Sequence, residues 1–505
     1  MKVSKHVKNT IVFLSIVLIY AFITCLSNHW NSYSNFQIWR IDGDPFWDFS
    51  MTSKIASGFL PYKEINTIIN PLFFYIGSAF LHLFGNNGYA FHLYNGFIYG
   101  STLYLIYLIL KTLEISKSTI FPTLITYALA SIICLVTNYN HLAICFALLL
   151  CYLEICHLND KNVFIKVHSK TRNILIGLLL ILIFLTKQNI GCYFGIAYFI
   201  YLFFTEKQLP IKEKLTSFLY KCIGALIGLV PFLVYFTINN LWPYYYDLCI
   251  AGLKDFQANC SHTDVISSII CFFAIHMIYC CIKVFKQTNN KEILLIGMFL
   301  MASILFLYPI LDMNHIITII PFVIIAFVLL LHNNIYFQET YNYYLMHYQI
   351  MKPYIFISSF ICIVGIIVLL VVSAYFPSVP EKYSVYKGYL ALNDSFFLQL
   401  DTMNNYISEK EKEGYTIFFI APDATLYRWP LGINNNKKDL FMHGNVGKTG
   451  YEDTLNEILS CPKPLVIYNS YEICWQEFES LNDFFKDYFT RIDFISNHFI
   501  YIKNQ

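Results

Sequence analysis

Three carboxylates, Asp42, Asp44 and Asp48, crowd into seven positions of the segment Arg40-Ile41-Asp42-Gly43-Asp44-Pro45-Phe46-Trp47-Asp48, directly after the first apolar run of the chain. A carboxylate at a bilayer edge is partly desolvated, which raises its pKa and makes it a stronger base. The same residues also suit turns and helix starts, where Asp is an ordinary capping residue. The segment continues through Gly58-Phe59-Leu60-Pro61-Tyr62-Lys63-Glu64 to Asn70-Pro71.

Other chemistry is sparse. His276 is the clearest ionisable residue in the middle of an apolar run, a position that marks ion and proton pathways; a lone histidine there also reads as a hydrogen-bonded core residue. Gly447-Lys448-Thr449 invites a phosphate-loop reading, but that motif needs a glycine five positions earlier, where Met442 stands. The fifteen cysteines form no CxxC spacing, and most sit in apolar runs as small hydrophobes. Cys249 with Cys260, and Cys461 with Cys474, are the pairs that an oxidising compartment could join.

The elements that position these residues follow from composition. Of 505 residues 57% are hydrophobic and 13% charged, about half the charge fraction of soluble proteins, which excludes an ordinary cytosolic enzyme. A net charge of +2 leaves no basic field for nucleic acid. Apolar runs at roughly 10–27, 92–110, 119–136, 141–156, 173–187, 190–204, 217–238, 265–282, 293–310, 316–332 and 353–375 predict about eleven membrane spans. The first, preceded by Lys2, Lys5 and Lys8 and lacking a cleavage site, reads as an uncleaved signal anchor. The stretch 68–84 is interrupted by Asn70, Pro71 and Gly77, and reads as a juxtamembrane or re-entrant segment. With it outside the count, the lysines and arginines of the short loops gather on one side. The N-terminus is then cytoplasmic in a multi-pass plasma (inner) membrane protein, with the 28–66 loop and the tail from 377 outside. The chain divides into a membrane domain, 1–376, and an extracytoplasmic domain, 377–505. In the tail, Thr416–Ala421, Pro464–Tyr468 and Phe494–Ile502 read as strands, and 396–412 and 475–488 as helices; together they predict a small α/β module.

The order of residues from Asp44 to Pro71 resembles the first outer loop of bacterial GT-C glycosyltransferases, similar to protein O-mannosyltransferases and aminoarabinose transferase. Their pattern runs from an Asp through an Ala to Gly-x-x-Pro-Tyr-x-Asp/Glu and then a Pro, places held here by Asp44, Ala56, Gly58, Pro61, Tyr62, Glu64 and Pro71. Thr186-Lys187-Gln188, and Tyr308-Pro309 with Asp312 and His315, extend the likeness. The resemblance implies transfer of a sugar from a polyprenyl-phosphate donor to a glycan, lipid or protein acceptor outside the cytoplasm, with inversion. It makes Asp44 the base, with Asp48 one helical turn on and Asp42 as the choice if the alignment slips by two. Lys187, Lys63 and Arg40 are the cations for the departing phosphate, with Glu64, Tyr62 and His315 as further substrate contacts. Many relatives carry a lysine where this chain has Asn70, which shifts the phosphate contact toward Lys187. Asn140 and His141 read either as a plain loop or as sugar or acceptor ligands.

No cofactor is expected; Asp42, Asp44, Asp48 and Glu64 are nonetheless hard oxygen donors of the kind a divalent ion takes. Two other classes fit the hydropathy. A transporter or flippase of lipid-linked sugar would carry charged or broken helices at the midplane in matching halves, and a membrane-anchored binding protein would carry its site in the tail. Besides the donor and acceptor, membrane lipids are the remaining partners.

Overall fold

The computed structural model describes residues 5–33, 43–133, 139–159, 168–253, 262–308, 310–333, 379–387, 394–421, 427, 446–448, 450–468, 478–496 and 498–504. In chain order the helices are α1 (Lys5–Tyr33), α2 (Gly43–Ala56), α3 (Leu72–Phe84), α4 (Gly88–Thr112), α5 (Lys117–Ile133), α6 (Tyr139–Leu158), α7 (Ser169–Thr186), α8 (Gln188–Thr205) and α9 (Ile211–Ile238). They continue with α10 (Trp242–Tyr246), α11 (Val265–Thr288), α12 (Lys291–Leu305), α13 (Met313–Ile316), α14 (Ile320–Asn333), α15 (Asp394–Lys412), α16 (Gly450–Ser460) and α17 (Phe478–Tyr488).

The apolar runs expected as spans between 10 and 332 are helical over most of their length, and the run at 353–375 lies outside the described residues. Among the described residues, five helices (α4, α6, α7, α9 and α11) are long and apolar enough to cross a membrane. The chain is therefore a membrane protein. The stretch expected to stay at the membrane surface contains α3, which at 13 residues is about 20 Å long and short of a hydrocarbon core of about 30 Å.

The chain falls into two compact units. The first takes Met1–Leu26, Asn95–Phe232 and His262–Phe376; the second takes Ser27–Tyr94, Leu233–Ser261 and Pro377–Gln505. In the first unit Ile144, Leu148, Ile183, Phe194, Phe299 and Phe322 lie in one buried apolar core. Lys187, extended at φ −151, is the single residue between α7 and α8, and Gly191 lets the two helices close on each other beside it, since a Cβ there would lie 2.2 Å from Phe184 Cα. Two further glycines interlock α7 with α9. A Cβ on Gly177 would stand 1.8 Å from the Lys221 carbonyl oxygen, and one on Gly224 would stand 1.9 Å from that of Ile174.

In the second unit the tail carries a four-stranded sheet, β3 (Thr416–Ile420), β4 (Pro464–Tyr468), β6 (His498–Lys503) and β5 (Phe489–Ile495) in spatial order, the short pair β1 (His262–Thr263) and β2 (Ile310–Leu311) belonging to the first unit. Strands β3 and β4 are parallel, β4 with β6 and β5 with β6 antiparallel. Side chains from α16 and α17, among them Ile458, Leu481 and Phe485, pack on the sheet residues Phe418, Ile420, Val466 and Tyr468. The expected single strand Phe494–Ile502 is instead split between the two arms of a hairpin. Ser496 takes a left-handed conformation, φ +47, and turns the chain so that Ile495 pairs with His498.

The glycine crossing of α7 and α9 has a direct test. Gly177→Val or Gly224→Val forces a side chain into a backbone carbonyl and is expected to cost about 1–3 kcal/mol or more, lowering the unfolding midpoint of the solubilised protein by several degrees. Gly195→Ala, where a Cβ meets nothing within 4 Å, should hold or raise it by removing a flexible residue from a helix. Equal midpoints for all three variants would contradict the crossing.

Candidate functional site

The second unit holds the first-loop residues. Asp44 stands in the first turn of α2 and Asp48 in the next, so the two share one face of the helix; the Asp44 side chain, with Arg40 and Asp42, lies outside the described residues. Asp48 is fully buried, and Thr52 donates to its backbone carbonyl at 2.6 Å. Gly77 of α3 lets that helix press on the same region, since a Cβ there would meet Thr52 Cγ2 at 2.7 Å. Lys54, also on α2, is only 1% exposed. A cation so deeply placed on this helix is not singled out by the sequence; its signal is a lone lysine inside Phe49-Ser50-Met51-Thr52-Ser53-Lys54-Ile55-Ala56.

The residues that follow build the loop between α2 and α3. Gly58, at φ +95, ends α2, with its own N–H bonded to the Ile55 carbonyl and the Phe59 N–H reaching back to that of Lys54; this is the left-handed terminator that favours glycine. Glu64 closes the next turn, its carboxylate accepting the Leu60 N–H at 2.6 Å while its own N–H bonds the Leu60 carbonyl. Tyr62 is held at φ +65, which costs a bulky residue about 1–2 kcal/mol, and its buried hydroxyl donates to the Ile69 carbonyl at 2.8 Å. Burial, with the Cys249 thiol and Tyr245 beside it, pushes that hydroxyl well above the ordinary tyrosine range, so it stays a donor. Lys63 is half-buried.

The segment after α9 locks this loop from the other side. Tyr245 donates to Asn70 Oδ1 at 2.9 Å, and its ring meets Tyr62 edge-on at 5.3 Å. The Cys249 thiol points to the Thr67 carbonyl at 3.7 Å; Cys260 and Cys474, its expected partner and that of Cys461, lie outside the described residues. The same segment reaches the glycine-lysine motif of the tail, where Asp247 accepts the Lys448 N–H at 3.1 Å and leaves no room for a side chain on Gly447. A carboxylate thus occupies the amide that a phosphate loop would offer to an anion.

The first unit holds the remaining candidates. Residues 139–141, expected as part of a loop, open α6 instead, because the apolar run after them extends the helix back to Tyr139. Lys187 donates to Asn140 Oδ1 at 2.9 Å and lies over the Tyr139 ring at 4.6 Å, so the cation stands at a helix N-terminus, a place that favours anions. Buried His141 packs on Tyr99, centroid to centroid 4.9 Å. His315 bonds Asp312 through Nδ1 at 2.8 Å, which fixes its ring. At the other end of the same helices is a group the sequence reading passed over. Glu154 is 4% exposed and accepts the Tyr198 hydroxyl at 2.6 Å, whereas His276 meets the Cys280 thiol at 3.6 Å and the Tyr279 ring at 6.3 Å in an exposed setting. Among the described residues no three His, Cys, Asp or Glu side chains gather in a metal-ligating group.

No protein-family model matches the chain, and no curated protein matches it. Two crystal structures of ArnT from Cupriavidus metallidurans are similar to it in fold. The apo form has a TM-score of 0.56 at 9% identity over 99% of this chain and 98% of that one. The form bound to undecaprenyl phosphate has a TM-score of 0.54 at 10% identity, over 98% and 97%. At such identity the likeness is one of fold alone.

Proposed function

We propose that the chain is a glycosyltransferase that moves a sugar from a polyprenyl-phosphate donor to an extracytoplasmic acceptor, a glycan, lipid or protein, with inversion at the anomeric carbon. The observation that carries the reading is the end-to-end correspondence with the ArnT fold, one of whose structures holds undecaprenyl phosphate. Two carboxylates one turn apart on α2, at the end of the chain where the GT-C resemblance lies, support it independently.

In this mechanism the acceptor hydroxyl attacks the anomeric carbon as Asp44 takes its proton. The new C–O bond forms on the face opposite the bond that breaks, and the electron pair leaves with the polyprenyl phosphate. Asp48, enclosed within the unit, holds the substrate or the acceptor in line. Lys187 bears on the departing phosphate, with Lys63, Arg40 and His315 as supporting contacts; fixed cations at such a place stabilise charge only as it develops.

The reading is tested by transfer from radiolabelled polyprenyl-phosphate sugars in membranes with matched protein levels. Asp44→Asn should lower the rate by about 10²- to 10⁴-fold, the contribution of one positioned general base, with a smaller loss for Asp48→Asn. Robust transfer unaffected by either change would remove the base assignment, and movement of the sugar lipid between leaflets without its consumption would favour a transporter. The loop architecture makes a separate prediction. Tyr62→Phe strands the buried Ile69 carbonyl, at a cost of about 1–3 kcal/mol, so amide exchange across residues 57–71 should quicken and the transfer rate fall. Unchanged exchange would mean that this bond does not hold the loop.

A further inference from the structure

Arg172, in the first turn of α7, has its Nε and Nη1 buried with no hydrogen-bond partner. Donors shut away from water without an acceptor are costly, and charged ones more so. Buried Glu154 accepts the Tyr198 hydroxyl and makes no hydrogen bond to Arg172 Nε or Nη1. Lys221 is 5% exposed, donates to Ser217 Oγ at 2.7 Å and lies over the Tyr198 ring at 5.9 Å. Arg172 is near enough to act electrostatically on both Tyr198 and Lys221. The interlocked Gly177 and Gly224 bring α9 and its lysine against α7. Lys170 extends the cationic surface, over the Tyr220 ring at 5.7 Å.

Three further observations identify what fits. Helix α7 starts without a side-chain cap, His168 making no bond to its first amides, and amides at a helix start favour an anion. Asn173, 6% exposed, keeps an unpartnered Oδ1, an acceptor for a hydroxyl. From this end α9 runs on with an exposed apolar face that includes Leu215, Phe218, Leu219, Leu226 and Ile227. A phosphate, a hydroxyl and acyl chains on one molecule describe an anionic glycerophospholipid.

We propose that Arg172, with Lys170 and Lys221, binds the phosphate of such a lipid, its acyl chains lying along α9. The site is distinct from Lys187: the two residues are separated by fifteen positions of α7, about 22 Å at the helical rise. The guanidinium offers several fixed N–H donors in one plane, where a lysine offers only a point charge.

The test uses the full chain in detergent, titrated with phosphatidylglycerol, phosphatidylcholine or inorganic phosphate and read by native mass spectrometry with the thermal midpoint alongside. Phosphatidylglycerol should be retained and raise the midpoint while the other two do not. Arg172→Ala should weaken that binding about tenfold, the loss of a charge-assisted bond, and Arg172→Lys less, with the exposed Lys286→Ala unchanged. Retention of phosphatidylcholine equal to phosphatidylglycerol, or an equal response to inorganic phosphate, would overturn the lipid assignment. Undiminished affinity in Arg172→Ala, or in Arg172→Lys where the alanine variant does not fold, would overturn the site.

Discussion

The bond from the Tyr62 hydroxyl to the Ile69 carbonyl holds the loop on which the proposed chemistry depends. It keeps a tyrosine in a left-handed conformation and draws residues 62 and 69 together, so the loop returns to Pro71 and α3 opens beside α2. Strain of this kind persists only where surrounding contacts over-determine it. Here they do: Tyr245 meets Asn70 and the Tyr62 ring, and Cys249 faces Thr67. With the loop fixed, α2 has a defined end at Gly58, and Asp44 and Asp48 a defined helix.

The first unit is governed by a related constraint. An apolar bundle makes an unpartnered polar side chain costly, and most of the polar groups at its two ends are paired. At one, Lys187 is held by Asn140 and Tyr139, and His315 by Asp312. At the other, Glu154 is held by Tyr198 and Lys221 by Ser217. The glycines of α7 and α9 make the second cluster possible, because a Cβ at either would push the helices apart.

Much of this was legible in the sequence where hydrophobic run length decides the outcome. The span helices and the Pro464–Tyr468 strand follow from contiguous apolar residues alone. The Ser496 hairpin did not, because no glycine marks the turn and apolar residues run on either side of it. In the candidate site, the pattern Gly-x-x-Pro-Tyr-x-Glu carried a resemblance, but its physical meaning lay in backbone partners, Leu60 for Glu64 and Ile69 for Tyr62, that spacing cannot reveal. Glu154 was hidden for the opposite reason: averaging over an apolar window dilutes a single charge, and only burial shows that it matters.

The stereochemistry of a single turnover tests the central claim most directly. A polyprenyl-phosphate sugar of one defined anomer is allowed to react once, and the anomeric configuration of the product is read by NMR before further cycles. Direct displacement by an acceptor hydroxyl, with a first-loop carboxylate taking its proton, predicts complete inversion. Retention would require a covalent sugar-enzyme intermediate and would contradict the account.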